Sequence, residues 1–403
     1  MKKKYGKLKH LIFFMILPTI ISIKLGSLRL TPCRIILIIN FIQACSKVYS
    51  GKCNGKDKVD ICMMIFSLWC LISFYINHGM ETAIESGGVL VLETVTPFLM
   101  ARMLLISRVD FEIIVNLLKK IVIFSLVILI PESITGINFF GKVVYPMMGS
   151  SYVNSIDQRY GFTRARGSFD HPIISGVFCS AMIGFAWFSV KKNKIRNTVL
   201  MVIATVTSLS SGAIASIMTQ FLIIGWEIFS RKMRKRWAKL IFLIVFSYFA
   251  IDLISNRSGI KVIISYLTFS PATAYWRTII WDYGIITAQN NPFFGIGFHD
   301  WDRPSWMHSG SMDNFFLVIM VRHGFPAFGF LAFSIYSIAR RLLLLNIIDE
   351  NLKNIRRGWL TGLVGLCISA CTVHYWNQAY IFFMFYLGFG LALLKLTESN
   401  YEK

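Results

Sequence analysis

The chain has 403 residues, of which 55% are hydrophobic and 15% charged, and its mean hydropathy is +0.59. This composition is too apolar for an ordinary soluble domain and predicts an integral membrane protein. The formal net charge of +22 would suggest nucleic-acid binding in a soluble protein, but the distribution of the basic residues argues against it.

Most of the basic residues lie in short segments between apolar runs. Five segments carry 24 of the 42 Lys and Arg residues: 1–10, 47–58, 191–197, 231–239 and 340–357. Short cytoplasmic loops of membrane proteins are enriched in Lys and Arg, so this charge is a topology signal. Such loops also contact anionic lipid head groups. We therefore expect membrane lipids, and no nucleic acid, as partners.

A helix needs about 20 mostly apolar residues to cross the hydrocarbon core, and its backbone must be satisfied internally. The apolar runs predict twelve spans: 11–23, 34–49, 59–77, 84–106, 111–131, 172–190, 197–210, 212–230, 239–254, 314–338, 359–378 and 380–395. No small-residue cleavage site follows the first run, which we interpret as a retained helix. The prediction is one all-α polytopic domain over 1–403 with both termini cytoplasmic.

Two segments on the predicted external side are long enough to carry a function. They cover about 132–171 and 255–313 and are rich in Arg, Asp, Asn, Tyr, Trp and Gly, whereas the cytoplasmic loops contain mainly Lys and Arg. The "SLSSG" stretch between the seventh and eighth spans is, by contrast, a tight external turn. Long ordered loops are usually functional.

Composition supports neither a metal site nor a cofactor. The eight cysteines include no C-x-x-C pair, and most lie inside predicted helices, so neither a disulfide framework nor a zinc site is indicated. The stretch "NPFFGIGF" lacks the Lys and Ser/Thr of a phosphate loop and does not follow a predicted strand. We expect no metal and no nucleotide, and interpret its glycines as a turn packed at the membrane surface.

External arginines oppose the positive-inside bias. Arg164 and Arg166 lie in "GFTRARGSFDHP", and Arg277 lies in "AYWRTIIWDYG". The planar guanidinium suits bidentate contact with phosphate, which predicts an anionic ligand at the outer interface. The alternative is pairing with external aspartates or contact with lipid phosphates. In the same motif, Asp170 is a candidate cap for the helix that starts at Pro172.

Other external residues could accept a proton or seat a ring. His308 and Asp313 lie in "MHSGSMDNFF", where the second segment re-enters the membrane, and either could act as a base. The alternatives are an ordinary loop histidine and a helix N-cap at Asp313.

Aromatic side chains of the same segment could hold sugar rings or form an interfacial aromatic belt, namely Trp281, Trp301 and Trp306. Within the membrane, Glu93 and Arg102 could form an internal pair.

Taken in order, four blocks resemble a known family. They are "RARGSFDHP", "SLSSGAIAS", "YWRTIIWDYGIITAQNNPFFGIGF" and "DNFFLVIMVRHGFPAFGFLAF", which together cover roughly 160–335. Their order and spacing resemble the bacterial O-antigen ligase and polysaccharide polymerase superfamily. The resemblance implies a GT-C-type membrane glycosyltransferase that uses undecaprenyl-diphosphate-linked sugars at the outer face of the bacterial inner membrane.

The resemblance also implies roles for individual residues. Arg164 or Arg166, together with Arg277, would contact the lipid diphosphate, and Asp313 or His308 would activate the acceptor hydroxyl. Two departures from the ligase pattern stand out. Asp313 and Asn314 occupy the place of a His-Asn pair, and Ser210-Ser211-Gly212 replaces Ser-Arg-Gly, so that Arg159 or Arg164 would have to replace the missing arginine.

Both departures favour a polymerase that joins lipid-linked repeat units into O-antigen, capsule or exopolysaccharide. The first alternative is a ligase that transfers finished polysaccharide to lipid A-core. An alternative of another class is a non-enzymatic flippase for the lipid-linked oligosaccharide, but that function predicts polar residues throughout the depth of the bundle. Expected partners are the undecaprenyl-diphosphate-linked glycan, a chain-length regulator and a separate flippase.

Overall fold

The protein is a helical bundle in a computed structural model that describes residues 2–26, 28–152, 157–190, 192–255, 262, 271–307 and 309–399. The described helices are α1 (Lys2–Met15), α2 (Pro32–Tyr49), α3 (Lys58–Thr82), α4 (Gly88–Leu104), α5 (Arg108–Thr135), α6 (Phe139–Met147), α7 (Pro172–Ser180), α8 (Ile183–Phe188), α9 (Lys194–Val206), α10 (Ser211–Phe229), α11 (Arg236–Ile254), α12 (Pro271–Asn290), α13 (Phe315–Leu344), α14 (Glu350–Ala370) and α15 (Asn377–Ser399). A π-helical turn, Ala83–Gly87, joins α3 to α4.

Two short antiparallel hairpins interrupt the helices. β1 (Ile23–Leu25) pairs with β2 (Leu28–Leu30) so that Ile23 is opposite Leu30. β3 (Gln158–Arg159) pairs with β4 (Phe162–Thr163) so that Gln158 is opposite Thr163. The second hairpin leads directly into the motif that contains Arg164 and Arg166.

The protein is an all-α membrane protein, as the composition predicts. Among the described residues, six helices are long and apolar enough to cross a membrane. They are Lys58–Leu104, Arg108–Thr135, Ser211–Phe229, Arg236–Ile254, Phe315–Leu344 and Asn377–Ser399. Twelve spans thus remain a prediction from the sequence.

Several predicted boundaries are wrong. The first helix covers Lys2–Met15 rather than 11–23, because Pro18 cannot continue a helix and disfavours helical backbone at the residue before it. The helix predicted over 359–378 ends at Ala370. The segment 255–313 contains α12 and is therefore not a loop throughout. The turn after α9, in contrast, occupies the predicted place.

Two glycines break long helices within the bundle. Gly79 in α3 (φ 80°) and Gly324 in α13 (φ 81°) both have left-handed backbone conformations that L side chains rarely adopt. At Gly324 the backbone also lies against the carbonyls of Pro292 and Phe293. Because a side chain at this position would both strain the backbone and clash, glycine is required there.

The core is centred on α15. Of its most apolar 18-residue window, 94% is buried, whereas the corresponding window of α11 is 0% buried. Two glycines of α15 allow close approach: Gly388 lies against the backbone of Phe98, and Gly390 lies against the ring of Trp359. The last helix is therefore the interior element around which the others pack.

The predicted internal pair between Glu93 and Arg102 is wrong. Arg34 Nε contacts Glu93 Oε1 at 2.7 Å, and Arg102 Nε contacts Asp60 Oδ1 at 3.1 Å. A buried charge is costly unless it is paired, and each of these groups pairs with a residue from another helix. The two pairs fasten α2 and α3 to α4.

Ion pairs collect at the end of the bundle that carries the basic loops. Arg341, at the last turn of α13, contacts Asp57 at 2.8 Å and Glu398 at 2.7 Å, and Arg108 contacts Asp349 at 2.6 Å. The start of α13, at Phe315, is at the opposite end. The candidate site described next lies there.

Candidate functional site

A cavity of about 660 Å³ opens at the end of the bundle where α7, α10 and α13 begin. Its walls come from the β3–β4 hairpin and the following motif, the turn before α10, the helix α12, the segment 296–313, the first turns of α13, and the segment 371–376. Among the described residues the lining includes four arginines, Arg159, Arg164, Arg277 and Arg322, and two aspartates, Asp300 and Asp313. This excess of positive charge suits an anionic ligand.

Arg277 is a buried cation of this group with incomplete hydrogen bonding among the described residues. Its side chain is buried, and NH2 donates to Ser211 Oγ at 2.9 Å. Its Nε and NH1 atoms are buried with no hydrogen-bond partner among the described residues. Burial lowers the pKa of Arg277 to about 10, while Asp313 raises it and Arg159 lowers it further. A buried cation with two unpaired donors is costly to maintain, and an anion in the cavity would satisfy it.

Arg159 and Arg164 hold the turn that precedes α10. Arg159 NH1 donates to the Leu209 carbonyl at 3.0 Å, and Arg164 Nε donates to the Ser208 carbonyl at 3.2 Å. Arg164 also forms an ion pair with Asp157 at 2.6 Å. Both guanidinium groups therefore lie beside Ser210 and Ser211, where the ligase pattern has an arginine.

Arg166 lies apart from these groups. Its guanidinium is over the ring of Tyr145, 5.8 Å from the centroid. Its backbone N–H donates to Glu132 Oε1 at 3.1 Å, and the next N–H, of Gly167, donates to Glu132 Oε2 at 2.8 Å. The buried carboxylate of Glu132 thus fixes the turn that presents Arg164, and a direct contact of Arg166 with the ligand remains a prediction.

Asp313 faces the cavity and does not cap α13. The capping alternative for Asp313 is wrong, because Asn314 Oδ1 accepts the Leu317 N–H at 3.1 Å and is the N-cap. The Asp313 carboxylate accepts from Ser311 Oγ at 3.3 Å. His308, the other predicted base, lies outside the described residues.

The three predicted sugar-contacting tryptophans separate in the structure. Trp301 is buried and lines the cavity, with Nε1 donating to the Gly310 carbonyl at 3.1 Å. Trp281 packs against an apolar cluster that includes Ile280 and Leu317. Trp306 is 50% exposed, and its ring lies 5.7 Å from that of Trp276.

Three cavity residues had no role in the sequence-based site. His171 caps α7, because its Nδ1 accepts the Ile173 N–H at 3.2 Å; the predicted cap, Asp170, instead accepts from Thr19 N and Asn377 Nδ2. Trp376 lies between two imidazoles: its ring centroid is 5.6 Å from that of His171 and 5.9 Å from that of His374.

Both imidazoles are neutral at physiological pH. Burial lowers the pKa of His171 to about 4, helped by Arg164, and burial lowers the pKa of His374 to about 4, helped by Arg322. The Nδ1 atom of His374 is buried without a partner among the described residues. His374 and Trp376 lie just before the start of α15, and this position could have indicated a site. The prediction of one helix over 359–378 placed both residues inside a membrane span instead.

Comparison with known families identifies the region that forms much of the cavity. Residues 197–332 match the family model described as O-antigen ligase. This stretch of the chain is therefore similar to the O-antigen ligase family. The resemblance to the ligase and polymerase superfamily is thereby confirmed over about a third of the chain. A comparison with curated proteins finds no match.

The family consists of glycosyltransferase-like enzymes that act on lipid-linked sugars, and the chain is a multi-pass membrane protein. The O-antigen ligase region contributes Ser211, Arg277 and Asp313 to the cavity. Arg164 and His374 come from outside that region. The cavity is therefore built by the matched domain together with helices on either side of it.

Within the O-antigen ligase region, the "NPFFGIGF" segment packs against the break in α13. Ile296 N donates to the Val321 carbonyl at 2.9 Å, and Gly297 N donates to the Arg322 carbonyl at 3.0 Å. Ser73 Oγ lies 2.6 Å from the Phe294 carbonyl and 3.0 Å from the Arg322 carbonyl. The segment thus replaces hydrogen bonds lost at Gly324 and holds Arg322 at the cavity wall, and its packing at the membrane surface stays a prediction.

Proposed function

We propose that the protein is a polysaccharide polymerase that transfers a glycan from undecaprenyl diphosphate to a lipid-linked repeat unit. The observation that carries this proposal is the buried Arg277, which lines a cavity that also contains a carboxylate and has two donors without a partner among the described residues. Phosphate groups, like carboxylates, can accept two hydrogen bonds from one guanidinium, and a lipid diphosphate carries two such groups. The O-antigen ligase domain supports a lipid-linked sugar as the substrate.

In the proposed reaction, the acceptor hydroxyl attacks the anomeric carbon of the donor. The bond between that carbon and the diphosphate oxygen breaks as the new glycosidic bond forms, and the hydroxyl proton passes to Asp313. The charge that develops on the departing diphosphate is stabilised by Arg277 and Arg159. Cations placed where transition-state charge develops contribute a large part of catalysis.

The charge pattern indicates the side of the membrane on which this reaction takes place. The cavity lies at the end opposite the basic loops, which the positive-inside rule assigns to the cytoplasm. We infer that it opens at the outer face of the bacterial inner membrane, that both termini are cytoplasmic, and that twelve spans form a GT-C-like bundle. No protein ligand for a metal or cofactor enters the proposed mechanism.

The distribution of unpaired charge favours an enzyme over a flippase. Within the described residues, Glu93 and Arg102 in the bundle are paired with other helices, whereas Arg277, which lines the cavity, has two buried donors without a partner. A flippase would need polar groups along a complete path through the bundle. The proposed site is confined to one end.

Gene deletion tests the proposal against its two alternatives. Loss of a polymerase leaves single repeat units on the core, whereas loss of a ligase leaves the core bare and polymer on the carrier lipid. Loss of a flippase leaves repeat units on the cytoplasmic side. A gel of the polysaccharide, with the carrier-lipid fraction analysed separately, distinguishes these three results. A bare core with polymer on the carrier would contradict the polymerase proposal.

Variants then test the residues. Arg166→Gln, Arg277→Gln, His308→Gln and Asp313→Asn are scored by chain length in the deleted strain, with membrane expression measured in parallel. Arg29→Gln is the matched control, because Arg29 is an exposed arginine on β2 that binds the Thr19 carbonyl and Ser22. Normal long chains in all four variants would show that the proposed site is wrong.

A further inference from the structure

Arg322 is a second cation that the helix break places at the cavity wall. Its guanidinium lies over the Phe298 ring, 5.3 Å from the centroid. Its backbone carbonyl accepts from Gly297 N and lies within hydrogen-bond distance of Ser73 Oγ. Both the side chain and the backbone of Arg322 are therefore fixed by neighbouring elements, and the charge is held toward the cavity.

This cation is distinct from the arginine group near α10. The charged neighbours that shift the pKa of Arg277 are Asp313 and Arg159. The charged neighbour of His374 is instead Arg322, which adds to the lowering of the His374 pKa by burial. The ring of His374 stacks on Trp376, whose other imidazole neighbour is His171. The cavity thus has one cationic group on the α10 side and another on the α13 side.

The carboxylates of the cavity do not neutralise Arg322. Asp300 is held by Arg303 at 2.7 Å, and Asp313 is the charged neighbour of Arg277. Within the described part of the chain Arg322 forms no ion pair. An arginine in an apolar helix is costly unless it faces water, a partner charge or a ligand, and here it faces the cavity.

We propose that Arg322, with His374 also lining the cavity, binds an anionic substituent carried by a sugar ring next to the reacting bond, so that the glycan substrate is acidic. This inference rests on the proposed function, because it requires the glycan to occupy the same cavity as the diphosphate. A cavity of about 660 Å³ has room for a sugar ring beyond the phosphates, with Trp301 and Trp376 as apolar surfaces. A sugar carboxylate and a sugar phosphate share the required chemistry, and both suit the arginine fork.

The test uses the full-length protein in lipid nanodiscs, with the diphosphate site saturated by farnesyl diphosphate. Binding of three sugars that differ only at C6 is compared: glucose, glucuronate and glucose 6-phosphate, with the galactose series in parallel. We expect one acidic form to bind at least about tenfold more tightly than its neutral counterpart, as one charge-assisted contact allows. The tighter of the two acids identifies the substituent.

Two variants separate this inference from the proposed function. Arg322→Gln should lose the preference for acidic sugars and keep its affinity for farnesyl diphosphate, which also shows that the variant is folded. Arg322→Lys should keep a weaker preference, because the charge remains. Equal binding of all sugars by the native protein, or an unchanged preference in Arg322→Gln, would overturn the inference. Unchanged farnesyl diphosphate affinity in Arg277→Gln would instead overturn the diphosphate site.

Discussion

Arg277 NH2 donates to Ser211 Oγ at 2.9 Å, while the other guanidinium nitrogens of Arg277 have no partner among the described residues. The hydroxyl thus holds one nitrogen of a guanidinium group that lines the cavity. Asp313 is a charged neighbour of Arg277, but within the described part of the chain the only hydrogen-bond partner of this guanidinium is a neutral hydroxyl. The remaining donors are therefore available to a ligand.

Removing the Ser211 hydroxyl should leave the Arg277 guanidinium charged but less well oriented. We expect Ser211→Ala to raise the KM for the lipid-diphosphate donor about tenfold, because a hydrogen bond to a charged group contributes about 1.5–3 kcal/mol. Steady-state kinetics with the donor varied checks this. The control is Ser334→Ala, because the Ser334 hydroxyl donates to the Phe330 carbonyl within α13 and Ser334 does not line the cavity described above. Equal KM values for Ser211→Ala and the native protein would refute the orienting role.

Arg159 and Arg164 should behave differently although both hold the same turn. Arg164 is buried and donates to the Ser208 carbonyl, so Arg164→Gln should lower the thermal stability by leaving this buried acceptor unsatisfied, at a cost of about 1–3 kcal/mol. Arg159 is half-buried, so Arg159→Gln should mainly weaken donor binding. Thermal unfolding and KM are measured on both variants. The reverse pattern would place Arg164, not Arg159, on the diphosphate.

The Ser73 hydroxyl should hold the "NPFFGIGF" segment against α13. We expect Ser73→Ala to increase hydrogen exchange at residues 294–298 and to lower kcat several-fold, since Arg322 would lose part of its support. Hydrogen-exchange mass spectrometry and kinetics measure the two effects. The matched control is Ser67→Ala. Ser67 lies on another face of α3, and its hydroxyl donates to the Met64 carbonyl. Unchanged exchange in Ser73→Ala would show that the segment is held by its backbone contacts alone.

Stability should fall as the pH is lowered from about 6.5 towards 4. In this window the unfolded chain protonates His171 and His374, while the folded protein keeps both neutral because their pKa is about 4. Carboxylates titrate there too, so the test is a difference. The double variant His171→Asn/His374→Gln retains a side chain that can cap α7, and its melting temperature should decline less steeply with falling pH. Identical slopes would contradict the neutral state of the imidazoles.

Local sequence signals predicted the helices well where apolar length decides the outcome. The turn between α9 and α10 and the start of α7 at Pro172 are where the pattern places them. The predicted helix caps were wrong where two adjacent residues could each cap the same helix. Asn314 rather than Asp313 caps α13, and His171 rather than Asp170 caps α7. Asp170 is taken up by tertiary contacts with Thr19 and Asn377, whereas Asp313 accepts from the nearby Ser311 and lines the cavity.

Which residues form the site depends on tertiary contacts, and the spacing of residues along the sequence does not predict those contacts. Arg164 and Arg166 are two residues apart, yet one binds the turn before α10 and the other lies over Tyr145. Glu93 and Arg102 are separated by nine residues on one helix, but each has a partner from another helix. His374 reaches the cavity only because α14 ends at Ala370.

The most direct test of the account is a polymerisation assay with the purified protein in nanodiscs and undecaprenyl-diphosphate-linked repeat units as the sole substrate. We predict a ladder of lengthening lipid-linked chains with one undecaprenyl diphosphate released per bond formed. Arg277→Gln should reduce the rate by about 10²-fold or more, whereas Arg29→Gln should retain it. An undiminished ladder from Arg277→Gln would contradict the account, as would a native protein of verified fold that forms no product longer than one repeat unit.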